Sequence, residues 1–119
     1  MTPSGDDLFA GFMVGVQLAC RVLGVDVEGW QRWCGAVVRD LAPRTTPVSA
    51  AYLQCAARGV VSEQVDGLLS ALLGRGVVAD AARGVLRLGS WSGSDLMAGL
   101  LAGVEAGLAG LGRRGVIVG

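Results

Sequence analysis

A stretch that occurs twice decides the fold of this chain: residues 4–16 read SGDDLFAGFMVGV, and residues 92–104 read SGSDLMAGLLAGV. Eight of the thirteen aligned positions are identical, far more than the composition of the chain gives by chance. Each copy opens with Ser-Gly-x-Asp and continues as an apolar run with glycines four residues apart, a spacing that lets two helices pack closely. The duplication therefore predicts two related central helices, over residues 5–24 and 93–111.

The remainder of the chain has the periodicity of shorter helices. These helices are predicted over residues 28–41, 46–58, 62–73 and 78–88. Thr45 or Thr46, followed by Pro47, is a start signal for one of them, and Ser62 is the start signal for the next. Gly59 is expected to end the helix that precedes Ser62.

Two finer predictions concern the second helix and the C-terminus. The residues expected to form the buried face of the second helix are Trp30, Trp33, Val37 and Leu41. Val116–Val118 are expected to form a short edge strand. The predicted fold class is therefore all-α, as a single compact helical domain of about six helices over residues 1–119.

The composition excludes several classes of enzyme. The chain of 119 residues has no His, and its ten basic residues are all Arg, so it also lacks Lys. A Ser-His-Asp triad, an HExxH metal site, a Walker A loop and a Schiff base are therefore excluded. Ten acids balance the ten arginines and only 5% of the residues are aromatic, so we expect no nucleic-acid partner.

The cysteines and the apolar runs bear on where the protein works. Cys20, Cys34 and Cys55 lie among apolar neighbours without a Cys-x-x-Cys spacing, which is typical of buried, reduced thiols in the cytoplasm. The apolar runs at 8–25 and 96–111 are interrupted by charged residues and fall short of the ~20 apolar residues that a membrane span needs. We therefore expect a cytoplasmic protein with no membrane partner.

The two Ser-Gly-x-Asp starts have the chemistry of a binding site. The free N–H groups of a helix N-terminus, together with the helix dipole, favour an anion, whereas an Asp there suits a cation or a substrate N–H. Two ordinary capped core helices are the alternative explanation. The hydroxyl and carboxylate groups present are more than two caps require. They are Thr2, Ser4, Asp6 and Asp7 at the first start, and Ser90, Ser92, Ser94 and Asp95 at the second.

The glycines of the two runs predict how these starts are arranged. Glycine removes the side chain that would hold two helix backbones apart, so the two runs can cross at short range. We therefore predict that both starts converge on one polar pocket, with Asp7 and Asp95 within reach of a single small ligand.

Three segments of the chain resemble one known family. Residues 2–11 read TPSGDDLFAG, residues 46–53 read TPVSAAYL with AARG at 56–59, and residues 89–99 read GSWSGSDLMAG. They are similar, in this order, to the Thr-Pro-Ser-Gly-Asp-Asp signature, the middle helix and the late Gly-Ser-x-Ser-Gly-x-Asp segment of the AllH-type family. That family includes a subunit of oxamate carbamoyltransferase, from anaerobic allantoin breakdown. The resemblance covers nearly the whole chain.

The resemblance implies carbamoyl transfer, in which an amine attacks the carbonyl of carbamoyl phosphate and phosphate leaves, so that oxamate gives oxalurate. This chemistry needs donors for the anionic groups and a carboxylate that orients the amine. Asp7 and Asp95 are the implied catalytic residues, and with Asp6 they orient an amide or a Mg²⁺ ion; no other cofactor is expected. The implied substrate-binding residues are Thr2, Ser4, Gly5, Asp6, Thr46, Ser49, Ser90, Ser92, Gly93 and Ser94.

The resemblance also bears on partners. Family members carry an N-terminal region that ends in a Gly-rich run just before the Thr-Pro-Ser motif, whereas Met1 directly precedes Thr2 here. We therefore expect a companion chain or a homo-oligomer. The alternative function is a non-catalytic assembly module that packs against a larger chain through exposed apolar surface. Arg44 and Arg58 are candidates for holding a substrate carboxylate, with an ordinary surface position as the alternative.

Overall fold

The computed structural model describes the backbone of residues 3–87 and 92–118, and the side chains of residues 5–87 and 94–110. The elements are α1 (Pro3–Leu23), α2 (Glu28–Leu41), a 3-10 turn (Ala42–Arg44), α3 (Pro47–Ala57), α4 (Glu63–Leu72), α5 (Val78–Leu86) and α6 (Ser92–Val118). No strand is present within these ranges, so the predicted all-α fold class is confirmed.

The C-terminal end of the fold differs from the prediction. Val116–Val118, expected as a short edge strand, belong to the last turn of α6. A strand needs a neighbouring strand to supply its ladder hydrogen bonds, and the described part of the chain contains none. As the last turn of α6, these residues can donate their N–H groups to helical hydrogen bonds within α6 itself.

The boundaries of α3 and α4 are set by residues that the sequence indicated. Oγ1 of Thr46 accepts a 3.1 Å hydrogen bond from the backbone N–H of Ser49 at the start of α3. Oγ of Ser62 accepts a 3.3 Å bond from the backbone N–H of Val65 at the start of α4. Such caps stabilise a helix by about 1 kcal/mol each. Gly59 follows α3 with a φ of +78°, a left-handed conformation that glycine adopts at little cost.

The centre of the fold is the close packing of α1 against α6. Gly11 of α1 lies directly against the backbone of α6, because a Cβ there would fall 2.8 Å from the main-chain nitrogen of Leu100. Gly99 of α6 lies in the same way against α1, where a Cβ would fall 2.9 Å from the nitrogen of Phe12. Cβ atoms essentially never approach a heavy atom within 3.0 Å, so only glycine permits this packing.

Contacts one turn further along show that α1 and α6 run in the same direction. A Cβ at Gly15 would fall 2.9 Å from the nitrogen of Val104, and one at Gly103 would fall 3.0 Å from the nitrogen of Val16. Each duplicated segment therefore meets the equivalent backbone atoms of the other copy, in a pseudo-twofold arrangement. The parallel direction brings both Ser-Gly-x-Asp starts to the same end of the fold.

All six helices contribute to one buried core. α3 packs against α1 and α2, α4 packs against α5, and α5 also contacts α6. The buried core residues are Ala10, Met13, Val14, Leu18, Cys34, Val38, Leu53, Ala56, Ala57, Val65, Leu68, Leu69, Val85, Leu96 and Leu100. Among the described residues, no helix has both the length and the hydropathy needed to cross a membrane.

One buried polar side chain connects three of the helices. Gln17 of α1 is 2% exposed, and its Nε2 donates a 3.1 Å hydrogen bond to the carbonyl oxygen of Ala56 in α3. Its Oε1 accepts a 3.2 Å bond from Nε2 of Gln31 in α2. The Gln17 amide is therefore satisfied inside the protein, and it fixes the relative placement of α1, α2 and α3.

Candidate functional site

α3 lies beside α1 and runs in the same direction. Oγ1 of Thr45, just before α3, donates a 2.7 Å hydrogen bond to Oδ2 of Asp6 near the start of α1. Further along both helices, the Gln17 side chain binds the carbonyl of Ala56. Since α6 is also parallel to α1, the N-termini of α1, α3 and α6 lie at one end of the fold, which we call the amino-terminal end. Each contributes N–H groups without intrahelical partners and the positive end of a helix dipole.

Asp6 is the most buried acid of this end, with an exposed fraction of 2%. Thr45 holds its Oδ2 atom, but its Oδ1 atom has no hydrogen-bond partner among the described residues. A buried polar atom that lacks a partner costs about 1–3 kcal/mol, and more when it is charged. Such atoms are rare in native proteins, and each one calls for an explanation in terms of strain, function or a missing partner.

Tyr52 on α3 lies close enough to Asp7 for the charge of Asp7 to affect the pKa of the Tyr52 hydroxyl. Burial, and in second place the negative charge of Asp7, raise the pKa of Tyr52 to about 12. Its hydroxyl therefore stays protonated at neutral pH and can donate a hydrogen bond. Tyr52 as a whole is 39% exposed, so part of its side chain is accessible from solution.

Asp7 and Asp95, the predicted catalytic residues, occupy equivalent places at the amino-terminal end. Each is half-buried, and each lies one turn before the first glycine of its helix in the crossing, Gly11 or Gly99. The parallel packing of α1 and α6 thus brings the two acids to the same end of the fold. Their action on one ligand stays a prediction.

The other substrate-binding candidates that the structure describes lie at helix starts. Thr46 and Ser49 lie at the amino-terminal end, where Thr46 caps α3 by accepting the Ser49 N–H. Gly5 is half-buried in α1, and Ser94 is exposed in α6. The candidates that lie outside the described residues, wholly or in their side chains, are Thr2, Ser4, Ser90, Ser92 and Gly93.

The two arginine candidates lie at opposite ends of α3. Arg44 ends the 3-10 turn directly before Thr45, next to the residue that binds Asp6. Arg58 follows the last turn of α3, where its Nη2 lies 3.8 Å from Sγ of Cys55. Arg44 is therefore the arginine of the pair that is placed to hold a carboxylate at the amino-terminal end.

Cys20 and Cys34 have the environment of structural residues rather than of nucleophiles. Cys20 and Cys34 are buried and Cys55 is half-buried, and none of the three is in a disulfide. Burial raises the pKa of the Cys34 thiol to about 12, and burial also raises the pKa of Cys20. A raised pKa keeps a thiol protonated and unreactive at neutral pH.

Metal binding has limited support from the side chains. Within the described residues, no group of three or more His, Cys, Asp and Glu side chains is arranged to hold a metal ion. Mg²⁺ often binds one or two carboxylates together with substrate phosphate oxygens and water. Asp7 and Asp95 fit that pattern when a phosphate-bearing substrate is present, so Mg²⁺ stays a prediction that depends on the substrate.

A separate apolar cavity of about 800 Å³ lies between α1, α2 and α6. Within it, Trp30 and Trp33 stack with their ring centroids 4.9 Å apart, and Trp33 is 50% exposed. The lining residues are Phe12, Val16, Cys20, Val25, Asp26, Gly29, Trp30, Trp33, Ala106, Gly107 and Gly110. A surface of this composition suits an apolar partner better than an anionic substrate.

Two residues of the amino-terminal end were not singled out as ligand-binding by the sequence. Thr45 is indicated there only as an alternative cap, and Tyr52 only as part of the middle segment of the resemblance. No local signal identifies either one, because Thr45 reaches Asp6 across 39 residues of chain. Only the packing of α3 on α1 brings these groups together.

These features define a class of protein: an all-α bundle in which one end joins three helix N-termini to a set of partly buried acids. A family model described as oxamate carbamoyltransferase subunit AllH matches residues 1–104. That match covers most of the chain, so the chain belongs to the AllH family. The description as a subunit implies a companion chain. No curated protein and no solved structure matches the chain.

Proposed function

We propose that this chain is a subunit of a carbamoyltransferase whose amino-terminal end binds carbamoyl phosphate or oxamate. The observation that carries the proposal is the parallel packing of α1 and α6, which brings both Ser-Gly-x-Asp starts to the end where α3 also begins. Three sets of N–H groups and three helix dipoles then favour a phosphate or carboxylate at this end. The family description, which names oxamate carbamoyltransferase, supplies the reaction.

Residues of the two Ser-Gly-x-Asp starts and of the start of α3 supply the donors for the anionic group in this proposal. These are Thr2, Ser4 and Gly5 of the first start, Ser90, Ser92, Gly93 and Ser94 of the second, and Thr46 and Ser49 of α3. The Tyr52 hydroxyl adds a donor whose raised pKa keeps its proton in place. Donors that are already oriented stabilise charge on a phosphate without having to reorganise during the reaction.

Asp7 and Asp95 orient the acceptor in this proposal. The acceptor nitrogen forms a bond to the carbonyl carbon of carbamoyl phosphate, and the bond from that carbon to the phosphate oxygen breaks. The nitrogen gives up its proton to a carboxylate, and the leaving phosphate takes the electron pair of the broken bond. Positioning and charge stabilisation account for most of the rate in such a transfer.

The proposal includes a partner and a compartment. A companion chain completes the enzyme, in keeping with the family's description as a subunit. The three free thiols support a reducing compartment, and we place the protein in the cytoplasm on that ground.

A second function, that of an assembly module, is favoured by the apolar cavity. The half-exposed Trp33, stacked on Trp30, offers a companion chain the kind of aromatic anchor that dominates protein interfaces. Replacing Trp33 with Ala should then weaken association with the companion chain, as measured by co-purification and light scattering. It should leave the binding of small ligands unchanged, since the cavity lining includes none of the proposed ligand-binding residues.

The decisive experiment compares Asp7→Asn and Asp95→Asn with the unmodified chain, purified with any companion that accompanies it. Calorimetric titration with carbamoyl phosphate and with oxamate should show binding reduced by at least about tenfold, the effect of one lost charge-assisted hydrogen bond. The melting temperature should change little. Asp66→Asn is the matched control, because Asp66 is an exposed acid in the first turn of α4.

The opposite pattern would contradict the proposal. If both acids only stabilise helix N-termini, each substitution costs about 0.5–2 kcal/mol of stability and leaves ligand binding intact. A carbamoyl phosphate-dependent assay on the purified complex then separates a catalytic subunit from an assembly module.

A further inference from the structure

We propose that Asp6, positioned by Thr45, accepts a hydrogen bond from the NH₂ group of the substrate. Asp6 thereby selects a carbamoyl or primary amide group over a carboxylate or methyl group in the same place. This inference rests on the proposed function, since it concerns the same end of the fold.

The geometry of Asp6 supplies the first argument. Thr45 donates a 2.7 Å hydrogen bond to Oδ2, which fixes the orientation of the carboxyl group. The Oδ1 atom is buried with the rest of the side chain, and no described residue donates to it. A carboxylate oxygen offers only acceptor capacity, so the partner that Oδ1 lacks among the described residues is a donor.

The surroundings of Asp6 indicate which kind of donor is missing. The N-termini of three helices lie at this end, and they present N–H donors to the anionic part of a ligand. One fixed acceptor among such donors complements a small molecule that carries an anionic group together with an NH₂ group. Carbamoyl phosphate and oxamate both have this composition, with phosphate or carboxylate at one end and NH₂ at the other.

Other ligands account less well for an Oδ1 atom that no described residue binds. An anion at Oδ1 would be repelled by the carboxylate. A metal ion would need further ligands, and the described acids do not form a group of three or more that could hold one. A primary amide needs only the one acceptor that Asp6 provides, and pairing the buried oxygen with an N–H removes its cost in free energy.

Substitution of Asp6 by Asn inverts the proposed interaction without changing its shape. The Asn carbonyl can accept the hydrogen bond from the Thr45 hydroxyl in place of Oδ2. The Asn NH₂ group then lies where Oδ1 was. A donor now faces the position of the substrate NH₂. The variant should therefore bind ligands with an oxygen at that position more tightly, relative to ligands with NH₂, than the unmodified protein does.

The experiment uses two matched ligand pairs on the full chain, purified with any companion that accompanies it. Oxalate has an oxygen where oxamate has NH₂, and acetyl phosphate has a methyl group where carbamoyl phosphate has NH₂. Calorimetric competition should show that the unmodified protein prefers oxamate over oxalate, and carbamoyl phosphate over acetyl phosphate, by about tenfold or more. Asp6→Asn should reduce the oxamate preference by at least the same factor, while Asp66→Asn leaves it unchanged.

The ligand ratio distinguishes recognition from a structural role. If Asp6 only stabilises the fold, Asp6→Asn lowers the melting temperature and leaves the oxamate-to-oxalate ratio as it was, which overturns the inference. Should Asp6→Asn fail to fold, the oxamate-to-oxalate ratio of the unmodified protein tests the inference instead. Thr45→Val then serves as the second variant, because it removes the hydroxyl that orients Asp6 and should lower the same ratio. An unmodified protein that binds oxamate no better than oxalate overturns the inference and leaves the proposed function standing. A protein that binds none of the four ligands overturns both.

Discussion

Gly11 of α1 and Gly99 of α6 meet the opposite helix through equivalent atoms. A Cβ on Gly11 would fall 2.8 Å from the main-chain nitrogen of Leu100, and a Cβ on Gly99 would fall 2.9 Å from that of Phe12, the residue equivalent to Leu100 in the repeat. Both copies of the duplicated sequence thus make the same contact, each with the backbone of the other. That symmetry brings the two related Ser-Gly-x-Asp helix starts to one end of the protein.

Replacing either glycine with Ala should destabilise the protein to a similar extent. The added methyl group collides with the backbone of the opposite helix, which cannot move aside as a flexible side chain can. We expect Gly11→Ala and Gly99→Ala each to lower the free energy of unfolding by about 1–3 kcal/mol or more, as measured by urea denaturation.

Gly35→Ala is the matched control for these two substitutions. Gly35 lies within α2, and a Cβ there would meet nothing within 4 Å. Because Ala favours the helix over Gly, this change should raise the free energy of unfolding by up to about 0.5–1 kcal/mol. Equal effects at Gly35 and Gly99 would contradict the close crossing of α1 and α6.

Gln17→Leu should destabilise the protein although the new side chain is apolar and similar in size. The substitution removes the hydrogen bonds that Gln17 makes to the carbonyl of Ala56 and to the side-chain amide of Gln31. Each of these groups keeps a second partner, since the Gly59 N–H donates to Ala56 and Gln31 donates to the carbonyl of Arg58. We expect a loss of about 1–3 kcal/mol in thermal or chemical unfolding. Gln64→Leu, at an exposed position of α4, should change stability by no more than about 0.5 kcal/mol.

The titration of Tyr52 reports on Asp7 directly. Tyr52 is the only tyrosine of the chain, so the ultraviolet absorbance of the phenolate follows this one group. Asp7→Asn removes the charge that is the second cause of the raised pKa, and the midpoint should move from about 12 toward the ordinary value of 10. It should stay above 10 because burial, the larger cause, is unchanged. A midpoint that is the same in both proteins would place Asp7 away from Tyr52.

Stability should decline in alkaline solution partly because of Cys34. Burial raises the pKa of this thiol from 9.0 to about 12 in the folded protein, so the unfolded chain loses its proton first. The contribution is fully present below pH 9 and is lost as the pH rises toward 12. Tyr52, with a pKa raised from 10.0 to about 12, acts in the same direction.

The variant Cys34→Ala tests whether Cys34 contributes to the loss of stability in alkaline solution. The measurement is the slope of the free energy of unfolding against pH. The variant is less stable overall because it loses buried volume, but its free energy of unfolding should fall less steeply above pH 9 than that of the unmodified protein. Parallel curves for the two proteins would show that the Cys34 thiol does not contribute.

The second helix shows where sequence periodicity reaches its limit. Its range, Glu28–Leu41, agrees with the prediction, but the buried residues are Cys34 and Val38, and Trp33 is half exposed. The apolar residues of α2 itself occur on more than one side of the helix, so the sequence pattern alone does not select which side is buried. Tertiary contacts make the choice: Nε1 of Trp30 donates a 3.0 Å hydrogen bond to the carbonyl of Met13 and ties the other side of α2 to α1.

The candidate site was likewise predictable in part. Asp6, Asp7 and Asp95 were indicated by the duplicated helix starts, because caps, glycines and acids at a helix N-terminus are local signals. The role of Thr45 and the nearness of Tyr52 to Asp7 were not. A single short-range pattern cannot report a hydrogen bond between residues 39 apart in the chain.

The sequence by itself determined the six helices, their main start and stop signals, the repeat and the family, because each of these depends on residues close together in the chain. Only the tertiary structure decided that α1 and α6 run parallel and that α3 begins at the same end. It also decided that one oxygen of Asp6 is bound by Thr45, while the other is buried and has no partner among the described residues. Helix directions and buried contacts depend on how whole faces pack together, and the same set of amphipathic helices is compatible with more than one such packing.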